Sequence, residues 1–402
     1  MTNSRWTKPI FYSKLLSSFG SSFSNYAIPL FIYKSTQNVS HVGLQWAIIA
    51  IVGLLSGYIG PRLNLFKNDK TGYIGLDILM AIAAIIPLAF IKTHPVLGSY
   101  LATFFMAFFG NLQNSYFESL VSKAVEDSKG DNHYRIYLLS HCENGAHIGK
   151  LLGYGMAFIV SSSLGFEWAF IIDAATFIAS ALLVTKLAQT GHHTKEVSKA
   201  SYSLIFRPKL FNLSIAQLFG AFAVYIFNGI WIVVIKKYFN ASDFYIALTF
   251  ILQYIVSIVA SRYNSHLSKR GKSLSDNGLF WVRASYGPLF ILLAYTTNIH
   301  SFIFIYTVFN FLIPFSLPGI KAMFHRSVAP SEVRGVAASR VGLTHICGAL
   351  GAVVGSLMIT SYSFKQLCLL SAAAFIAGAA YFYIHLKKTT HLDSRDLKSN
   401  KA

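Results

Sequence analysis

The chain has 402 residues, of which 54% are hydrophobic, 15% aromatic and only 12% charged, and its mean hydropathy is +0.51. A soluble domain carries about a quarter charged residues, so this balance excludes a water-soluble enzyme or binding module and indicates a polytopic membrane protein. The formal net charge of +19 does not indicate a nucleic-acid partner, because the basic residues stand in short clusters between apolar runs rather than in one tract with interleaved aromatics.

Runs of the roughly 18–20 residues that cross a bilayer fall near 10–33, 41–60, 71–91, 96–120, 136–162, 165–186, 210–235, 243–264, 278–296, 299–320, 335–361 and 364–386. They predict an all-α membrane protein of twelve transmembrane helices in two pseudo-symmetric six-helix bundles. The N-terminal bundle is expected over 1–187, a cytoplasmic linker over 188–209 and the C-terminal bundle over 210–402. The first span follows Arg5 and Lys8 without a small-residue cleavage site, and reads as a retained helix rather than a signal peptide. Cys142, Cys347 and Cys368 all fall inside apolar spans, with no CxxC pair or metal-ligand spacing, and read as packing residues.

Lys and Arg set the expected orientation. One set of connections holds Arg62, Lys67 and Lys70, then Lys123, Lys129 and Arg135, then Arg262, Lys269, Arg270 and Lys272, then Lys321, Arg326 and Arg334. The opposite set holds only Lys34, Lys92, Lys236, Lys237 and Lys365. Positive loops stay inside, so both termini and the linker are expected in the cytoplasm of a bacterial-type inner membrane. The linker's His192 and His193 read as solvated residues rather than a metal site.

The midpoint linker invites a search for a repeat. At an offset near 200, Phe19-Gly20 matches Phe219-Gly220, ESLVSKAV from Glu118 lies over KAMFHRSV from Lys321, and Gly149 and Gly153 fall on Gly351 and Gly355. The same register puts Glu143 on His345 and Lys150 on Ala352. Two six-helix halves of like hand imply a cavity between them near the midplane.

The fifth span concentrates the unusual chemistry. Gly145, Gly149 and Gly153 recur every fourth residue, and small residues at that spacing let another helix backbone come close. The same helix carries Glu143, His147 and Lys150, although a charge at mid-bilayer costs roughly 2.5–3.5 kcal/mol. That face needs a water-filled path or partners on other helices. Glu143 and Lys150 are two turns apart, about 10 Å, too far for a direct pair.

At this point the chain resembles the major facilitator superfamily over almost its whole length. GAHIGKLLGY, from Gly145 to Tyr154, is similar to the antiporter motif GxxxGPxxGG, with Lys150 in place of proline and Tyr154 in place of the last glycine. FIIDAATFIASALL, from Phe170 to Leu183, and VAPSEVRG, from Val328 to Gly335, are similar to segments of macrolide-efflux and enterobactin-exporter relatives. GYIGPRLNLFKNDK, from Gly57, stands where the family has GxLaDRxGRR, with Pro61 at the acidic position and Arg62 retained. The resemblance implies that the first, fourth, fifth, seventh, tenth and eleventh helices line the cavity. It also implies a gate of Arg62 and other basic loop residues, with Asp77 as their acidic partner.

Candidate site residues follow from charge and position. Lys150 and Arg340 are expected to face each other across the halves and bind negative groups, an Arg fork and a Lys point charge suiting carboxylate or phosphate. Asn111, Asn114, Ser115 and Glu118 form one stripe on the fourth helix, facing either water or neighbouring helices. Asn310, Pro314 and Pro318 mark a tenth helix able to kink. Glu143, His147, Glu118, Asp173 and His345 are the candidates for proton coupling. Lys14 is expected to snorkel to the surface, and Arg283 to be structural.

No Walker motif, catalytic triad or metal cluster is present, and no cofactor is called for. The expectation is a monomeric secondary transporter of an anionic or zwitterionic organic molecule, such as a siderophore or drug, exported against protons. Import of an anionic metabolite or ferric siderophore is the first alternative, and a non-transporting membrane receptor the second.

Overall fold

A chain this apolar has to satisfy its backbone polar groups within each segment, and the computed structural model is accordingly helical, with no strand among the described residues. The structure describes residues 4–36, 39–60, 66, 68–128, 131–187, 205–228, 234–361 and 363–399. Arg62 and most of the 188–209 linker lie outside them.

The helices are α1 (Ser4–Thr36), α2 (Val39–Ile59), α3 (Asp69–Phe90), α4 (Pro95–Asp127), α5 (Asn132–Ser163), α6 (Phe166–Thr185), α7 (Pro208–Asn228), α8 (Asp243–Lys269), α9 (Asp276–Ala284), α10 (Tyr286–Ala294), α11 (Ile299–Arg326), α12 (Val333–Ser361) and α13 (Phe364–Ser399). A π turn, Val234–Tyr238, precedes α8, and a 3₁₀ turn, Pro330–Glu332, leads into α12. Among the described residues, seven helices are long and apolar enough to cross a membrane. The charged helices α1 and α5 are not in that set.

Sequence signals set several boundaries. Asn68 caps α3 by accepting the Thr71 N–H at 2.7 Å, Asp131 caps α5 through the Tyr134 N–H at 2.9 Å, and Asn298 caps α11 through the Ser301 N–H at 2.8 Å. Pro95 begins α4, where its missing N–H costs nothing. Gly165, at φ 98°, turns the chain from α5 into α6, a conformation natural to glycine. The expected ninth span is two short helices, α9 and α10, separated at Ser285, which keeps near-helical angles (φ −71°, ψ −16°). Pro288 lacks the N–H that would bond to the Ala284 carbonyl, so the ladder is interrupted there.

The chain forms two compact units. The first comprises Met1–Tyr202 with Tyr254–Ser273 and Val328–Gly342. It therefore holds α1–α6, the second half of α8 and the start of α12. Inside it, α1 packs chiefly on α5 and α6, and α3 on α4 and α6. The second unit comprises Ser203–Gln253, Leu274–Ser327 and Leu343–Ala402. Its core is aromatic, with Phe227, Phe290, Phe302, Tyr306, Phe309, Phe364 and Phe375 buried together; the Phe227 and Phe290 rings meet edge-on at 5.6 Å.

The glycine repeat does the same work in each unit. A Cβ on Gly149 would strike the Leu15 carbonyl and lie 2.9 Å from the Phe19 nitrogen, and one on Gly153 would strike the Phe19 carbonyl. In the second unit, Gly351 stands likewise against the Phe222 carbonyl and the Ile226 nitrogen, and Gly355 against the Ile226 carbonyl. The counterpart of Phe19 is thus Ile226, seven residues beyond Phe219. The expected match of Phe19-Gly20 with Phe219-Gly220 is two helical turns out of register, because the shared dipeptide is not what contacts the glycines.

Candidate functional site

The polar residues of α5 stand apart from its glycine ridge. At 100° per residue, Glu143, His147, Lys150 and Tyr154 occupy one face about 130° round the helix from Gly149. The ridge holds α1 close, and the polar face looks elsewhere. All four of its side chains are half-buried. Tyr254, on the part of α8 within the first unit, spans two turns of that face. Its ring is stacked on Tyr154 at 5.8 Å and tilted to His147 at 6.3 Å, which sets it across the turn bearing Lys150.

The α4 stripe meets neighbouring helices. Lys14 of α1 donates to Asn114 Oδ1 at 2.8 Å and lies 4.4 Å over the Phe117 ring. Lys14, expected to snorkel to the surface, thus has an exposed acceptor and an aromatic face on α4. Ser115 turns back onto the Asn111 carbonyl at 3.1 Å. The Asn111 Nδ2 is buried with no hydrogen-bond partner among the described residues.

One turn further, Glu118 accepts a hydrogen bond from the Arg340 Nη2 of α12, forming an ion pair. Both residues are almost fully buried, Glu118 at 4% and Arg340 at 5% exposure. Two charges this far from water are tolerated only as a pair. The α12 backbone also approaches α2 closely here, because Gly57 and Gly342 leave no room between them for a Cβ.

A second charged cluster gathers on Asp69, the first residue of α3. Its carboxylate accepts Ser119 Oγ at 2.5 Å, Lys123 Nζ at 2.8 Å and Arg334 Nη1 at 3.5 Å. The Arg334 guanidinium lies 4.9 Å over the Tyr116 ring, and Gly72 gives that ring its place. In the second unit, Asp276 at the start of α9 takes both of its oxygens to Arg326 Nη2, at 2.7 and 2.6 Å, echoing Asp69 and Lys123. Asp69→Asn should lower the stability of the first unit by about 1–3 kcal/mol, measured as the denaturant midpoint in detergent. An unchanged midpoint would mean that the cluster holds nothing together.

Sequence reading named Asp77 as the acidic partner of the basic loop residues and passed over Asp69. Asp77 is fully buried, accepting from Gln113 of α4 and from Ser180 of α6 at 2.7 Å. It sits two turns inside the helix, whereas Lys123 and Arg334 collect on Asp69 and Lys70 donates to the Thr185 and Leu187 carbonyls. Only the charged cap position at the helix start, Asn68-Asp69, hinted at this.

The remaining candidates are dispersed. Asp173 is fully buried on α6 beside Ser24. Asn310 is buried in α11 with its amide bonded to the Tyr306 carbonyl of its own preceding turn at 2.8 Å, a local satisfaction that leaves less of it for a ligand. His345 is half-buried on the part of α12 in the second unit. Arg283 donates to the Ala216 carbonyl at 2.6 Å and lies 5.5 Å from the Phe382 ring centre, a packing role. Among the described residues no group of three His, Cys, Asp or Glu side chains could hold a metal ion.

A family model described as Major Facilitator Superfamily matches residues 10–309. No curated protein matches the chain. Solved structures do. A bacterial homologue of the iron transporter ferroportin, in the outward-facing state, superposes with a TM-score of 0.77 at 14% identity, over 94% of this chain and 98% of that one. The human organic anion transporter MFSD10 superposes with a TM-score of 0.76 at 12% identity, over 94% and 99%. The E. coli fucose:proton symporter FucP superposes with a TM-score of 0.70 at 14% identity, over 96% and 99%. At these identities the likeness is one of fold.

Proposed function

We infer that this chain, which belongs to the Major Facilitator Superfamily, is a secondary transporter that couples the movement of an organic anion or zwitterion to protons. It is a multi-pass membrane protein with a transporter's fold. In this reading twelve spans form two halves, 1–187 and 210–402, joined by a cytoplasmic linker and working as a monomer between inward- and outward-open states. The name of the human structural neighbour, an organic anion transporter, agrees with the charge that the chain buries.

The observation that carries the proposal is the buried Arg340–Glu118 pair. Arg340 needs an anionic partner wherever it is kept from water. Glu118 supplies one while the start of α12 lies against α4; when those helices part, the substrate's carboxylate or phosphate takes that place, with Lys150 as the second cation. Asp69, Arg334, Lys123 and the Gly57–Gly342 contact form the gate that must open for this exchange.

Displacing Glu118 leaves a buried carboxylate without its cation, and binding a proton relieves it. Anion and proton then bind together, which favours co-transport and uptake of an anionic metabolite. Efflux is the second reading. It rests on the α5 glycine motif and on the resemblance to macrolide-efflux and enterobactin exporters, with Glu143, near His147 and Lys150 on that helix, as the group that titrates. In inside-out vesicles with an acidified lumen, antiport accumulates citrate or another organic anion inside, whereas symport depletes a preloaded lumen. If no organic anion moves in either direction, the transport proposal fails.

A further inference from the structure

The first unit buries two carboxylates that the proposed anion site does not use, and both face a row of hydroxyls. Ser24 of α1 donates to Asp173 Oδ2 of α6. The other oxygen, Asp173 Oδ1, is buried with no hydrogen-bond partner among the described residues. Asp173 itself is 0% exposed. A Cβ at Gly20 would come within 2.7 Å of that free oxygen, so α1 is pressed against it and no long side chain intervenes.

Two turns along α6, about 10 Å away, Ser180 donates to Asp77 Oδ2 at 2.7 Å and lies 2.8 Å from Ser13 Oγ. Ser13 in turn donates to the Tyr73 hydroxyl at 3.0 Å. Ser17 on α1 and Thr176 on α6 are buried between the two ends. The groups facing Asp173 are Ser24 from α1 and Thr176 on its own helix, and no charged side chain among the described residues acts on it. Those facing Asp77 are Gln113 from α4 and Ser180 from α6, with Ser13 of α1 behind Ser180. Lys14 acts on it through its charge, and Tyr73 and Cys142 lie beyond.

A carboxylate in this setting, with one hydroxyl donor and no cation, keeps its full charge at a large cost in solvation. One carboxylate and neutral hydroxyls also fall short of the donor set of a divalent metal. A proton neutralises that charge without needing further ligands. We propose that Asp173 is a proton-binding site inside the N-terminal bundle, formed by α1 and α6 from residues other than those of the anion site, with the hydroxyl row leading toward Asp77. The carboxylate takes a proton delivered by water to give the neutral acid, and returns it to water; no other bond changes. A part for this site in transport rests on the proton-coupled reading, whereas proton binding itself does not.

Infrared difference spectra of the purified protein between acidic and alkaline buffer separate the two. Wild type should show the carbonyl stretch of a protonated carboxyl that shifts in deuterium oxide, and Asp173→Asn should remove one such band. Ser24→Ala keeps the carboxyl but removes its donor, and should move the midpoint of that band by about one pH unit or more. If Asp173→Asn does not fold, Ser24→Ala carries the test alone. A spectrum unaltered by Asp173→Asn, or a midpoint unmoved by Ser24→Ala, would overturn the proton site. If the band behaves as expected while gradient-driven transport survives in Asp173→Asn, the site stands and its part in coupling is withdrawn.

Discussion

Arg340→Ala is expected to cost the first unit about 3–5 kcal/mol of stability and to abolish anion transport. The cost arises from Glu118, which stays buried with its charge and loses its cation. Replacing both partners with apolar residues of similar length, Glu118→Leu with Arg340→Met, should return most of that stability, since no charge remains to be solvated. Transport should not return with it. Arg340→Lys keeps the charge but loses the planar fork, so it should retain the fold and weaken transport. Denaturant midpoints in detergent and initial rates in vesicles read the two effects separately. Near wild-type stability for Arg340→Ala would mean that Glu118 has another cation, and transport by the Leu–Met protein would remove Arg340 from the substrate path.

Gly149→Leu is expected to cost about 3 kcal/mol or more, because the new side chain would meet the backbone of α1 at Leu15 and Phe19, and backbone cannot rotate aside. Gly351→Leu should do the same to α7 and α12. Gly155→Leu is the internal control. Nothing lies within 4 Å of a Cβ at Gly155, so the change should stay within about 0.5 kcal/mol or even stabilise the helix. Equal effects at 149 and 155 would show that the glycine ridge is not what joins α5 to α1.

The apolar spans were legible because apolar length is a local property. Gly149 and Gly153 announce a close helix contact from spacing alone. What the contact is with cannot be read locally, and the seven-residue slip between Phe219 and Ile226 shows it. Glu118 and Arg340 were both singled out, but for different jobs. Their union depends on the start of α12 lying on α4, which no local pattern encodes. Asp69 was missed for the same reason, since an acidic residue in the first turn of a helix is ordinary until Lys123 and Arg334 are brought to it. Asp77 was placed at the gate on the strength of a resemblance, and its burial beside Gln113 and Ser180 is a tertiary fact that the resemblance does not carry.

Binding of citrate and other organic anions to purified wild type and Glu118→Gln tests the central claim most directly. Glu118 competes with the substrate for Arg340, so removing its charge should tighten anion binding about tenfold or more. The proton taken up on binding should also disappear in the variant. Equal or weaker binding by Glu118→Gln, with proton uptake unchanged, would contradict the account.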